Sequence, residues 1–176
     1  MTELIQLADF RKQWEQARAR YLEAFERVGQ SGWLVLGKEV EAFERELAAY
    51  WGVPLAVGVG NGLDALELSF RALGARPGDL YLTTPLSAFA TTLAILKVRG
   101  VPVFADVDAS GLLDLASAES LLQSLPRKPR FFVPVHLFGH AMSLEALEAF
   151  SRRHGMLLVE DCAQAIGAKS EGKPVG

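Results

Sequence analysis

Apolar positions step by three or four through the first fifty residues, and then the period changes. Phe10, Trp14, Ala17, Tyr21, Phe25 and Val28 fall on one face of a helix that Asp9 can cap and Gly29 and Gly32 can end. A second helix follows Gly37, with Val40, Phe43, Leu47 and Tyr50 on one side. Beyond it, short apolar runs alternate with helical stretches: 55–59 then 64–73, 80–84 then 87–99, 101–105 then 117–125, 131–135 then 143–154, and finally 156–160. The aromatic residues at helical spacing (Phe10, Trp14, Tyr21, Phe25, Phe43, Phe150) are read as core.

The runs Phe131-Phe132-Val133-Pro134-Val135 and Met156-Leu157-Leu158-Val159 are apolar at both parities, as strands covered on both faces are. Pro134 lacks an N–H for a ladder, so it belongs near its strand's end. Strands and helices joined by turns bearing Gly74, Pro77-Gly78-Asp79, Gly100 and Gly155 predict an α/β fold with a mostly parallel sheet and flanking helices. Residues 1–52 read as leading helices of the same domain whose alternating part is 53–176. Parallel strands deliver their following loops to one rim, where open α/β folds bind ligands. Four loops therefore belong together: 60–63, 85–91, 136–140 and 161–167.

Bulk properties narrow the function classes. The chain has 176 residues, half of them hydrophobic and 22% charged, which suits one folded domain. A net charge of -3 gives no footprint for nucleic acid or an acidic membrane. Residues 1–20 show no apolar signal core, and no stretch has the uncharged length of a bilayer span. One cysteine, Cys162, excludes an internal disulfide and multi-thiolate zinc clusters. These features predict a cytoplasmic protein.

Three constellations carry candidate chemistry. Gly58-Val59-Gly60-Asn61-Gly62 leaves an apolar run and opens a helix, where free N–H groups suit a phosphate; a tight turn without a ligand is the alternative. A dinucleotide fingerprint fits badly, because the third glycine would fall at Leu63 and the next strand ends at Thr83-Thr84 without an acid for a ribose. Asp161 ends a buried run and leads into a loop. A carboxylate there can keep a pyridine nitrogen protonated so that the ring serves as an electron sink, with the Gln164 amide three residues on; acids at strand ends also cap helices or bind metals. His136 and His140 are four apart, but the intervening Leu137-Phe138-Gly139 reads as loop, so no metal site is expected. His136 reads instead as a polar wall of a small-molecule pocket or a structural histidine, and His154 as a charge at a helix C-terminus. Trp33, in the loop 31–37, could close over a site or support a subunit contact.

In order along the chain, Ser31-Gly32-Trp33-Leu34-Val35-Leu36-Gly37, Val40-Glu41-Ala42-Phe43-Glu44, Val59-Gly60-Asn61-Gly62-Leu63-Asp64-Ala65-Leu66, Pro77-Gly78-Asp79, Ala90-Thr91, Pro134-Val135-His136-Leu137-Phe138-Gly139 and Glu160-Asp161-Cys162-Ala163-Gln164-Ala165 resemble the DegT/DnrJ/EryC1/StrS family of sugar aminotransferases. The resemblance implies part of the large domain of a fold-type I transferase dependent on pyridoxal 5'-phosphate. Such an enzyme moves an amino group, usually from glutamate, onto a nucleotide-linked keto sugar, and works as a homodimer. Asn61-Gly62-Leu63-Asp64-Ala65-Leu66 looks most like members acting on 3-keto deoxyhexoses attached to dTDP.

By the same resemblance Asp161 would pair with the pyridine nitrogen, Gln164 would face the ring oxygen, and Gly62 and Leu63 would offer backbone N–H groups to the cofactor phosphate. His136 would lie on the substrate side. Leu63 replaces a threonine common in relatives. Ala88 replaces an aromatic that stacks on the ring, a place that Phe89 could take if the loop shifts. The family's Schiff-base lysine lies beyond the Asp-x-x-Gln block. Lys169 and Lys173, in a polar turn, read as solvated charges, so no catalytic residue is assigned. On this reading the small C-terminal domain is absent and the chain alone is expected to be inactive. The second reading is a non-catalytic α/β binding or dimerisation module. Unpaired sheet edge and uncovered apolar surface would favour association.

Overall fold

The structure, a computed structural model, describes residues 9–176; the first part of the N-terminal segment read above lies outside that range. Helix α1 (Phe10–Ser31) begins where Asp9 accepts the Arg11 N–H at 3.1 Å, and it stops at Gly32, whose φ of 64° suits a residue without a Cβ. Gly29 lies within the helix, and its carbonyl accepts the Gly32 N–H. Helix α2 (Lys38–Trp51) follows Gly37, joined back to α1 by a bidentate Arg27–Glu39 pair at 2.8 and 2.9 Å.

The aromatic stripe of α1 is not core. No residue of α1 is buried, Phe10 and Phe25 are 72% and 80% exposed, and Trp14, Tyr21 and Phe43 are also exposed. Helical spacing marks which side chains share a face; burial needs a second surface against that face, and among the described residues none covers it. Phe150 alone of the six is buried.

From residue 80 onward strands and helices alternate as the patterning predicts. Strands β1 (Leu80–Thr83), β2 (Val101–Phe104), β3 (Phe131–Phe132) and β4 (Leu157–Leu158) make one parallel sheet in the order β2-β1-β3-β4. Helices α3 (Gly62–Ala72), α4 (Phe89–Lys97), α5 (Leu115–Ser124) and α6 (Leu144–His154) flank it. Phe70, Ala94, Ile95 and Val98 from α3, α4 and its C-cap meet Tyr81, Phe131 and Val133 on one face. Ala118, Leu147 and Phe150 from α5 and α6 meet Leu82, Phe132 and Val135 on the other. The chain therefore winds one way from β1 to β2 and the opposite way to β3 and β4. The winding reverses at β1, which opens a crevice between the ends of β1 and β3.

Two runs read as strands differ. Residues 55–59 form no strand and pair with none among the described residues; Leu55 and Val57 are exposed, and the Gly58 N–H donates to Glu44 Oε1 at 2.6 Å. Strand β3 is short because Pro134 follows it, yet the Pro134 carbonyl accepts the Asp161 N–H and an isolated parallel bridge joins Val135 to Asp161. Beyond the sheet, β5 (Lys169–Ser170) and β6 (Lys173–Pro174) form a small antiparallel hairpin. Among the described residues no helix is long and apolar enough to cross a membrane.

Candidate functional site

All four rim loops reach one cleft. Gly62 and Leu66 enter from the start of α3, Ser87, Ala88 and Ala90 from the loop after β1, and Val135 and Leu137 from the segment after β3. Asp161, Ala163 and Gln164 complete it. The walls are apolar apart from the Ser87, Asp161 and Gln164 side chains and the helix start.

Asp161 is 7% exposed, and both carboxylate oxygens are held. The Ala163 N–H donates to Oδ1 at 3.2 Å, and the Thr91 hydroxyl donates to Oδ2 at 2.6 Å. Thr91, in the first turn of α4, is itself buried, and its oxygen lies 2.6 Å from Ser87 Oγ. The single Thr91 hydroxyl hydrogen is committed to Asp161, so Ser87 donates to Thr91. The order Ser87→Thr91→Asp161 follows from counting hydrogens. A carboxylate so placed keeps lone pairs for a further donor in the cleft.

At the opposite side, Asn61 caps α3 by accepting the Asp64 N–H at 2.9 Å, and its carbonyl accepts from Ala65. The N–H groups of Gly62 and Leu63, at the start of the helix, have no partner among the described residues and can meet an anion. Leu63 packs its side chain against the core, so only its backbone is available. Asp64 places a negative charge in the same turn, and Lys97 Nζ stands 3.8 Å from it and 2.6 Å from Glu67.

The remaining sequence candidates are placed less centrally. Gln164 lines the cleft, and its carbonyl accepts the Gly139 N–H at 2.9 Å. Phe89 is 70% exposed and stands outside the lining, where its neighbours Ala88 and Ala90 lie instead. His136 is fully buried outside the cleft: its Nδ1 accepts the Met142 N–H at 3.0 Å, and Nε2 lies 2.9 Å from Glu160 Oε2. Lys169 and Lys173 are exposed in the terminal hairpin and do not reach the lining. Trp33 donates from Nε1 to the Val35 carbonyl at 2.6 Å.

His136 Nε2, a Glu160 oxygen and Cys162 Sγ all lie within 4.8 Å of one another. They do not fit a metal ion. The Met142 N–H requires a lone pair on Nδ1, which leaves the proton on Nε2 where a metal would need a lone pair. Burial above all, then the Glu160 and Asp161 charges, pushes the Cys162 thiol up to about 12, far from the thiolate that a metal binds.

Sequence reasoning singled out Asp161 and Gln164 but gave Thr91 no role of its own, and it overlooked Ser87. The available signal was two hydroxyl residues four apart at the start of a helix on the site's rim. Only the tertiary contact across 70 positions gives that spacing a meaning.

Comparison with known proteins matches residues 15–176 to the DegT/DnrJ/EryC1/StrS aminotransferase family. The chain is 42% identical over 168 residues to the erythromycin biosynthesis sensory transduction protein EryC1 of Saccharopolyspora erythraea, covering 96% of this chain and 45% of that one. It is 37% identical to the dTDP-3-amino-3,4,6-trideoxy-alpha-D-glucose transaminase of Streptomyces venezuelae, covering 99% and 46%. The crystal structure of S. venezuelae DesV in complex with a ketimine intermediate superposes with a TM-score of 0.92 at 38% identity, covering 99% of this chain and 47% of that one. The chain thus spans about half the length of the curated relatives it matches.

Proposed function

The chain belongs to the DegT/DnrJ/EryC1/StrS aminotransferase family, and from that premise we propose that it forms the cofactor-holding part of a pyridoxal-phosphate-dependent aminotransferase of nucleotide-linked keto sugars. The observation that carries this reading is the buried Asp161 carboxylate, fixed at both oxygens, in an apolar cleft that also receives the start of α3. The donor set fits pyridoxal phosphate. Asp161 would hold the ring nitrogen, Gly62 and Leu63 would give backbone N–H groups to the phosphate, and Gln164 would serve the ring oxygen. Ala88 and Ala90 leave the ring room but no aromatic partner, and Phe89 would fill that role only after a loop movement.

The bound ring supplies an electron sink, which a protonated nitrogen strengthens. The residues of this chain would bind and orient the group and hold one proton: Asp161 would keep it at the ring nitrogen, and the apolar walls would exclude competing water. His136 shapes the substrate side through the loop that its Nδ1 anchors at Met142. Lys169 and Lys173 are assigned no part in the chemistry.

For the whole protein, the relatives' printed activities support a nucleotide-linked keto sugar as acceptor, a dTDP-linked 3-keto deoxyhexose first among them. Glutamate as donor, a homodimer and a cytoplasmic location complete the proposal. The test is a titration of the chain with pyridoxamine 5'-phosphate, followed by ligand fluorescence. Saturable binding is expected, weakened about a hundredfold by Asp161→Ala, or about 3 kcal/mol. Equal affinity in the two proteins would overturn the assignment.

A further inference from the structure

We propose that Thr91 is a positioning residue for the pyridine-binding carboxylate: its hydroxyl, backed by Ser87, holds Asp161 Oδ2 so that the carboxylate faces the cleft. The inference rests on the cofactor reading above and adds a residue that the reading itself does not need.

A carboxylate on a loop has two freedoms, the rotation of its side chain and the choice of oxygen presented. Among the described residues Oδ1 is held only by a local backbone contact, the Ala163 N–H two residues on at 3.2 Å. Oδ2 is held by Thr91, which comes from a different element 70 positions earlier, at 2.6 Å. The shorter bond therefore ties the loop after β4 to the first turn of α4. Thr91 is 1% exposed, so water cannot replace its hydroxyl without a rearrangement. Its own rotamer is fixed by the Ser87 donation, because the oxygen must accept along one direction while the hydrogen points along another.

The consequence is preorganisation. A ring nitrogen entering the cleft finds a carboxylate already oriented, and binding need not freeze a freely turning side chain. Charge-assisted hydrogen bonds depend on that alignment. Ser87 and Ala88 lie in the same loop, so a single segment both shapes the wall for the ring and, through Thr91, aims the group that holds its nitrogen.

The test uses pyridoxamine 5'-phosphate labelled with nitrogen-15 in its ring, bound to wild type, Thr91→Val, Thr91→Ser, Ser87→Ala and Asp161→Ala. Valine keeps the shape of threonine, and thermal melting confirms that each variant is folded. Wild type should bind with the ring nitrogen protonated at pH 8. Thr91→Val should bind about tenfold more weakly and show the shift of an unprotonated nitrogen. Thr91→Ser should restore both readouts, and Ser87→Ala should fall between wild type and Thr91→Val. Wild-type affinity and a protonated nitrogen in Thr91→Val, with Asp161→Ala impaired, would overturn the positioning role alone. Equal loss in Thr91→Ser and Thr91→Val would also overturn it. No binding by wild type, or binding indifferent to Asp161→Ala, would overturn the cofactor reading itself.

Discussion

Met142 donates its backbone N–H to His136 Nδ1 at 3.0 Å, and that bond sets the imidazole proton on Nε2, against Glu160. The ring works as a strut between the loop after β3 and the end of the sheet. His136→Ala would leave a buried N–H and a half-buried carboxylate without partners, a loss of about 2–4 kcal/mol in denaturant unfolding. Zinc or a chelator should leave the melting temperature of the wild-type chain unchanged. A zinc-dependent rise abolished by His136→Ala would contradict the proton placement.

Cys162 should be a slow thiol. Its ordinary value of 9.0 is pushed up to about 12, first by burial and then by the two neighbouring carboxylates, so little thiolate forms at pH 8. Iodoacetamide should alkylate the folded chain more than tenfold slower than the chain in denaturant.

Tyr81 is likewise pushed up, from 10.0 to about 12, mainly by burial. For both groups the unfolded chain loses its proton first as pH rises. The stabilising difference is intact below pH 9 and falls away as pH climbs from about 9 to 12. Urea midpoints should be flat near neutrality and drop through that window, and Cys162→Ala should flatten its first part.

Gly100 and the Tyr81 ring share one space: a Cβ on Gly100 would overlap the ring edge, 2.8 Å from Cδ2, and press on Ile95. Gly100→Ala should cost about 1–3 kcal/mol as an overpacked core does. Tyr81→Phe should be neutral or stabilising by up to about 1 kcal/mol, because the buried Tyr81 hydroxyl has no partner among the described residues. Chemical denaturation of the two variants distinguishes these signs.

The β5–β6 hairpin turns through Glu171 and Gly172, at φ of 52° and 82°. Two left-handed residues in a two-residue turn favour Asn-Gly. Glu171→Asn should stabilise the chain by about 0.5–1 kcal/mol; a lower unfolding midpoint would mean that the 3.3 Å bond from Ser143 to Glu171 outweighs the turn.

The sequence was most legible where both partners of a contact are implied by one pattern. The runs around Phe131 and Leu157 read as covered strands and are parallel neighbours, and the loops that follow β1, β3 and β4 share a cleft as strand direction requires, joined there by the start of α3. It was least legible where the partner is distant or missing. Phe25 has the spacing of a core residue, but periodicity carries no information on what lies opposite. The run at 55–59 has the composition of a strand and lacks a neighbour to pair with. His136 reads as a pocket wall or a structural histidine because its loop reaches the rim, and its ring is held inside by a bond to Met142 that no local motif announces. Thr91 stood in plain view within a motif, and its tie to Asp161 depends on how α4 sits over the loop after β4.

The reversal of winding at β1 has a consequence for how such a chain can change. The hollow between the ends of β1 and β3 is a by-product of chain direction and does not depend on any one polar side chain in it. Its polar contents come from short connections between the elements, while Leu66, Val135 and Leu137 line it from the packed faces themselves. Replacing Asp161 would therefore change what the hollow can hold while its seat remains, and new chemistry could enter by substitutions in those connections. The architecture separates inheritance of a place from inheritance of a task.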